Sequence, residues 1–133
     1  MISFFILPVA LLSGTVAVSP EAVLAAAVDD FEFGDHASVV AKLEPILEAE
    51  EIALSHDAIV RARTYLGASH YMLGHTSRAT RQFNSICTQA PDHRIDATVF
   101  SPDIVAFFDR TRARLASPSE GGVTVPKPSR ALD

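Results

Sequence analysis

The apolar positions recur at helical spacing through most of the chain. Over 21–33 the set is Val23, Leu24, Ala27, Val28 and Phe31, in steps that mark one face of a helix. Gly34 stands where a left-handed cap residue ends a helix, and Asp35 can cap the next one. That second helix carries Val39, Val40, Leu43, Ile46 and Leu47, with Pro45 expected to kink it or shorten its first part. Ser55 and Asp57 mark a third start, and Ile59, Ala62, Leu66, Tyr71, Met72 and Leu73 lead to Gly74, a second cap glycine. Thr76 or Ser77 opens a fourth helix with Ala79, Phe83, Ile86 and Cys87 on one face, closed by Ala90-Pro91-Asp92. An extended stretch is expected over 95–100. Ser101-Pro102-Asp103 then supplies a capping hydroxyl, a proline at the first helical position and an acid in the first turn. Ile104, Val105, Phe107, Phe108, Thr111 and Leu115 form the stripe of this fifth helix. No strand-like alternation of any length interrupts the pattern, which predicts an all-α domain.

The two ends differ from this middle. Residues 1–18 carry no charged side chain, and the first charge is Glu21. The run matches the shortest membrane-spanning helices, roughly 17–25 residues, but Pro8 sits mid-run and Ser13, Gly14 and Thr15 dilute its second half. That is the profile of a signal peptide, with Thr15-Val16-Ala17 as the cleavage site. A retained N-terminal anchor and a buried core helix are the alternatives. Lipidation is not expected, because Thr15 stands where the lipid-bearing cysteine would be. Residues 117–133 hold three of the eight prolines and two of the six glycines, with too few apolar side chains to offset ordering entropy. They read as a disordered tail, which leaves 19–116 as the folded domain.

The middle contains a repeat. Phe33-Gly34-Asp35-His36 matches Leu73-Gly74-His75-Thr76 at an offset of 40, with Val39 and Ala79, then Leu43 and Phe83, in register behind them. The second copy, ARTYLGASHYMLGHTSRATRQFNSICTQAP, resembles a tetratricopeptide repeat. Leu66-Gly67 corresponds to the motif's Leu-Gly pair, Gly74 to its turn, Ala79 to the small residue at the helix crossing, Phe83 to the plugging aromatic and Pro91 to the end of the unit. Arg63 and His70 depart from the motif's large residue and tyrosine. The first copy keeps Gly34, Val39, Leu43 and Ile46 but has Ala26-Ala27 for the Leu-Gly pair. The 40-residue offset exceeds the motif's usual period of about 34, so the turn around 50–56 is long.

This resemblance, which covers about 20–92, implies a short α-solenoid of two helix-turn-helix units, with the helix over 102–116 as its cap. It also implies a concave groove lined by first helices. Carried over by position, the groove residues are Thr64, Ala68, Tyr71 and Met72, with Leu24, Val28 and Phe31 from the first unit. In so short an array these side chains can instead pack beneath the fifth helix, and Phe107 and Phe108 are the alternative partner-binding surface. Fewer than three repeats bury little core, so homodimerisation or docking on a partner is a second implication. The whole layout resembles small exported tetratricopeptide proteins of the Gram-negative envelope, which tend to be accessory parts of secretion or motility machines. The expected function is therefore a non-enzymatic adaptor of the periplasm or cell envelope that binds another protein. The alternative is a structural subunit whose N-terminal helix, residues 1–18, stays in the membrane.

Composition narrows this further. A chain of 133 residues makes one domain, and 48 % apolar with 20 % charged residues excludes a wholly disordered one. A net charge of −5 argues against a nucleic-acid binder. The charge is uneven: 19–57 carry ten acidic side chains against Lys42, whereas 58–116 carry eight arginines against four acids. Cys87, the only cysteine, excludes a disulfide framework and a thiolate zinc site, and its helical face implies a buried structural thiol. No nucleophile elbow, phosphate loop or His-Glu-x-x-His is present. His70 and His75 lie five apart, a spacing that does not share one helical face. His56-Asp57 and Asp92-His93 read as caps and turns, the acids of 21–51 lack calcium-loop spacing, and Arg110, Arg112 and Arg114 form no single stripe. No catalytic residue, cofactor or metal is expected.

Overall fold

A computed structural model describes residues 18–116. The signal-or-anchor reading of 1–18 (Val18 apart) and the tail reading of 117–133 lie outside the described residues. The described residues form five helices: α1 Pro20–Glu32, α2 His36–Leu47, α3 His56–Met72, α4 Thr76–Gln89 and α5 Pro102–Ala116. The fold is all-α, with no strand among the described residues. Each helix packs on the next, α4 with α5 included, and α1 also touches α3. This neighbour-plus-next-but-one pattern is that of stacked helical hairpins.

Local chemistry places the helix starts. Ser19 accepts from the Ala22 N–H, Asp35 from Ser38 and Ser55 from Ala58, each at 3.2 Å. Ser101 does the same for Ile104 at 3.4 Å. The repeat is visible in the backbone of its two turns. Gly34 has φ +79° and Gly74 φ +82°. The Gly34 N–H donates to Phe31 O and Asp35 N–H to Asp30 O, and Gly74 and His75 bond Tyr71 and His70 in the same way. Both turns are thus Schellman closures, in which only glycine takes the left-handed position without strain.

The fourth helix opens at Thr76 as expected, with His75 in the cap position and no capping bond from its imidazole. Two local expectations change. Pro45 lies inside α2 without ending it. It falls in the last turn on the exposed side of the helix, as does Ala41, whose carbonyl it leaves without an intrahelical donor. The 95–100 stretch is not extended. Asp96 accepts from the Thr98 N–H and hydroxyl, and its carbonyl accepts from Val99 and Phe100, folding the segment into a turn.

The core lies between the hairpins. Leu43, Leu66, Phe83, Ile86, Ile104 and Phe108 are its largest fully buried apolar side chains. Gly67 and Ala79 let α3 and α4 approach: a Cβ at Gly67 would stand 2.5 Å from Phe83 Cε1. Phe83 in turn meets Phe108 edge-on at 5.3 Å and Phe107 at 5.8 Å. Pro91 is exposed just beyond α4.

Candidate functional site

The first helices of the two hairpins present the main concavity. A cleft of about 690 Å³ lies between the N-terminal half of α3, from His56 to Tyr65, and the 89–100 connection. A second, of about 490 Å³, lies between α1 and α3. The two share Asp57 and Arg61 and so lie side by side along α3, together making up a groove.

The floor of the groove is apolar: Leu24 and Val28 from α1, Val60 and Tyr65 from α3, Ile95 and Phe100 from the connection. Phe31 supports it from below. Its ring meets Tyr65 edge-on at 5.3 Å and Phe100 at 5.3 Å, and Tyr65 meets Phe100 at 5.1 Å. This three-ring cluster ties α1, α3 and the connection together. The rim is acidic. Glu21, Asp29, Asp57, Asp92 and Asp96 face only Arg61 and Arg94. The Thr98 bonds hold the Asp96 carboxyl below its ordinary range. The Arg61 guanidinium lies 5.9 Å from the Tyr65 ring centroid, within reach of its π-face.

The sequence-derived groove residues divide. Thr64 lines the larger cleft but is buried; its hydroxyl donates to Val60 O at 2.8 Å and stands 3.3 Å from His93 Nε2. Ala68 is wholly buried and offers no surface. Tyr71 packs its ring on Phe107 at 5.0 Å. Met72 is half-exposed but lies at the far end of α3, outside both clefts. The three fall outside the groove for separate reasons: Ala68 is enclosed within the core, Tyr71 is turned against Phe107 of α5, and Met72 sits beyond both clefts. Leu24 and Val28 do line the groove. Phe108 is fully buried against Phe83, and Phe107 lies between Tyr71 and Phe83 with Arg110 over its ring. The apolar face of α5 is therefore turned inward, as a cap, and Phe108 is withdrawn as a partner contact. Sequence reasoning missed the rim: His56-Asp57 and Asp92-His93 sit at element ends, and no spacing shows that those ends converge.

A second polar cluster lies behind α3. His70, wholly buried, places Nε2 2.9 Å from Glu44 Oε1 of α2, and its Nδ1 stands 3.5 Å from Nδ1 of exposed His75. The Schellman turn brings together two histidines that share no helical face. Burial pushes His70 below the ordinary histidine value, against the opposing pull of Glu44, and burial lowers His93 likewise. Elsewhere Lys42 pairs with Asp30, and Cys87 is free and buried, its thiol pushed up by that burial. Among the described residues no group of three or more His, Cys, Asp or Glu side chains is placed to hold a metal ion, and no helix is long and apolar enough to cross a membrane.

The two lowered histidines make stability pH-dependent. Above their ordinary value of 6.5 both folded and unfolded chains keep them neutral. Below it the unfolded chain takes up protons that the folded chain resists, so stability falls with pH. Urea unfolding at pH 7.5 and 5.0 is expected to show a lower midpoint at pH 5.0, with a smaller drop in His93→Gln. An equal drop in that variant would remove His93 from the account.

Comparison of the chain with family models, with curated proteins and with solved structures gave no match.

Proposed function

We propose that this chain is a non-catalytic protein-binding module, an adaptor that takes a basic, apolar segment of a partner protein into the groove over α1 and α3. The observation that carries the reading is the groove itself, with an apolar floor, an excess of carboxylates at the rim and room for several side chains. Apolar burial supplies affinity there, and rim charge supplies orientation and partner choice. The uncharged N-terminal run supports an exported protein of the bacterial periplasm or envelope, where such an adaptor serves a larger assembly.

The test is nuclear magnetic resonance with a defined probe, a decapeptide alternating leucine and lysine. Amide shifts are expected in α1, the first half of α3 and 89–100. They are expected to weaken at roughly 0.5 M salt, where screening shortens the reach of the rim charges. Asp57→Lys with Asp96→Lys is expected to weaken binding at least tenfold. Equal binding of a leucine–glutamate decapeptide, or shifts confined to other surfaces, would end this proposal.

A further inference from the structure

The cluster behind α3, away from the groove, brings two imidazole nitrogens close enough to share an ion. His70 Nδ1 and His75 Nδ1 face each other at 3.5 Å. Two imidazole nitrogens bound to one tetrahedral zinc, each at about 2.0–2.1 Å, stand roughly 3.3–3.4 Å apart. At 3.5 Å the contact is at the long limit of a hydrogen bond, and the spacing also fits a shared ion.

The protonation pattern agrees. With Nε2 2.9 Å from the Glu44 carboxylate, His70 donates its one proton there and presents Nδ1 as a bare lone pair toward His75. A carboxylate behind a ligating histidine fixes its tautomer and raises its basicity. Burial of the His70 ring holds its orientation, while exposed His75 gives entry from solvent. The backbone adds to the pre-organisation, since the His75 N–H donates to His70 O at 2.8 Å across the Gly74 turn. The first hairpin has the same turn with Asp30 and Asp35 at these two positions, and there Asp30 pairs with Lys42. The paired imidazoles thus belong to the second hairpin alone. One nearby charge opposes a cation: Arg78, which acts on His70 from α4.

We propose that His70 and His75 form a two-nitrogen site, reached from solvent on the His75 side, for a divalent transition metal of the zinc, nickel and copper group, with Glu44 as the outer-shell carboxylate and water completing the coordination. Imidazole donors select these ions over magnesium and calcium, which prefer oxygen.

The test is calorimetric titration of the full chain, free of any histidine tag, with Zn²⁺ and Ni²⁺ at pH 7.5 and Mg²⁺ as the control. One equivalent of each transition metal is expected to bind and Mg²⁺ not to bind. His75→Ala, at an exposed side chain, is expected to keep the helical circular dichroism and weaken binding at least tenfold. Glu44→Gln is expected to weaken it by about ten- to a hundredfold, the usual effect of losing an outer-shell partner. Arg78→Gln is expected to tighten it. His56→Ala is expected to leave it unchanged, and the ¹⁵N resonances of the His70 and His75 rings to shift on zinc addition. Unaltered affinity in folded His75→Ala, or zinc-induced shifts at other histidines in place of these, would overturn the proposal.

Discussion

Phe108→Ala is expected to destabilise the domain by about 3–5 kcal/mol, the range for truncating a fully buried phenylalanine. The ring is inaccessible to solvent and meets Phe83 edge-on at 5.3 Å, with His93 at 6.2 Å. Removing it leaves a cavity that Phe83 cannot fill, because Gly67 and Phe107 already bound that ring on other sides. A domain of this size has about 5–15 kcal/mol of net stability, so the loss is a large share of the whole. At roughly 4–8 °C per kcal/mol it lowers the melting temperature by at least about 12 °C. Thermal unfolding followed by circular dichroism measures it. A shift under about 4 °C would mean that α5 is loosely docked and that its aromatic face is free for a partner. Phe107→Ala separates the roles: half-buried, it is expected to cost less than Phe108→Ala.

Helix ends were legible because they depend on residues within one turn: Asp35, Ser55 and Ser101 as caps, Gly34 and Gly74 as left-handed stops. The repeat was legible because two chemically similar turns stand 40 residues apart and fold alike. The groove was legible only in part. Leu24, Val28 and Thr64 line it, but Ala68 is enclosed in the core, Tyr71 is turned against Phe107, and Met72 lies at the far end of α3 outside both clefts. The Tyr71 contact depends on how a helix thirty residues later packs, which the periodicity of α3 alone cannot encode. The pairing of His70 with His75 was hidden for a simpler reason. Helical-face arithmetic stops at the helix end, and the left-handed Gly74 folds the next residue back over the last turn. Glu44 was equally out of reach, since its contact joins helices 26 residues apart in sequence.

Gly67→Ala tests the contact on which the second hairpin depends. On helix propensity alone the change should stabilise α3 by up to about 1 kcal/mol. The added methyl, however, would stand 2.5 Å from one atom of the Phe83 ring and 2.9 Å from the next. The ring is fully buried, with Phe107 and Phe108 against it, so it cannot swing away without displacing α5. Overpacking of this kind costs about 1–3 kcal/mol, which exceeds the propensity gain, and net destabilisation is expected. Phe83→Leu removes ring atoms at the point of collision. In a double-mutant cycle Gly67→Ala with Phe83→Leu is therefore expected to lose less than the sum of the single changes, by at least about 0.5 kcal/mol. Additive losses would show that the two positions do not press on each other. A Gly67→Ala protein more stable than the parent would show that α3 and α4 can separate slightly at no cost. In either case the small residues at this crossing would no longer explain why the hairpin closes so tightly, and Leu66-Gly67 would lose its steric reason for resembling the tetratricopeptide pair.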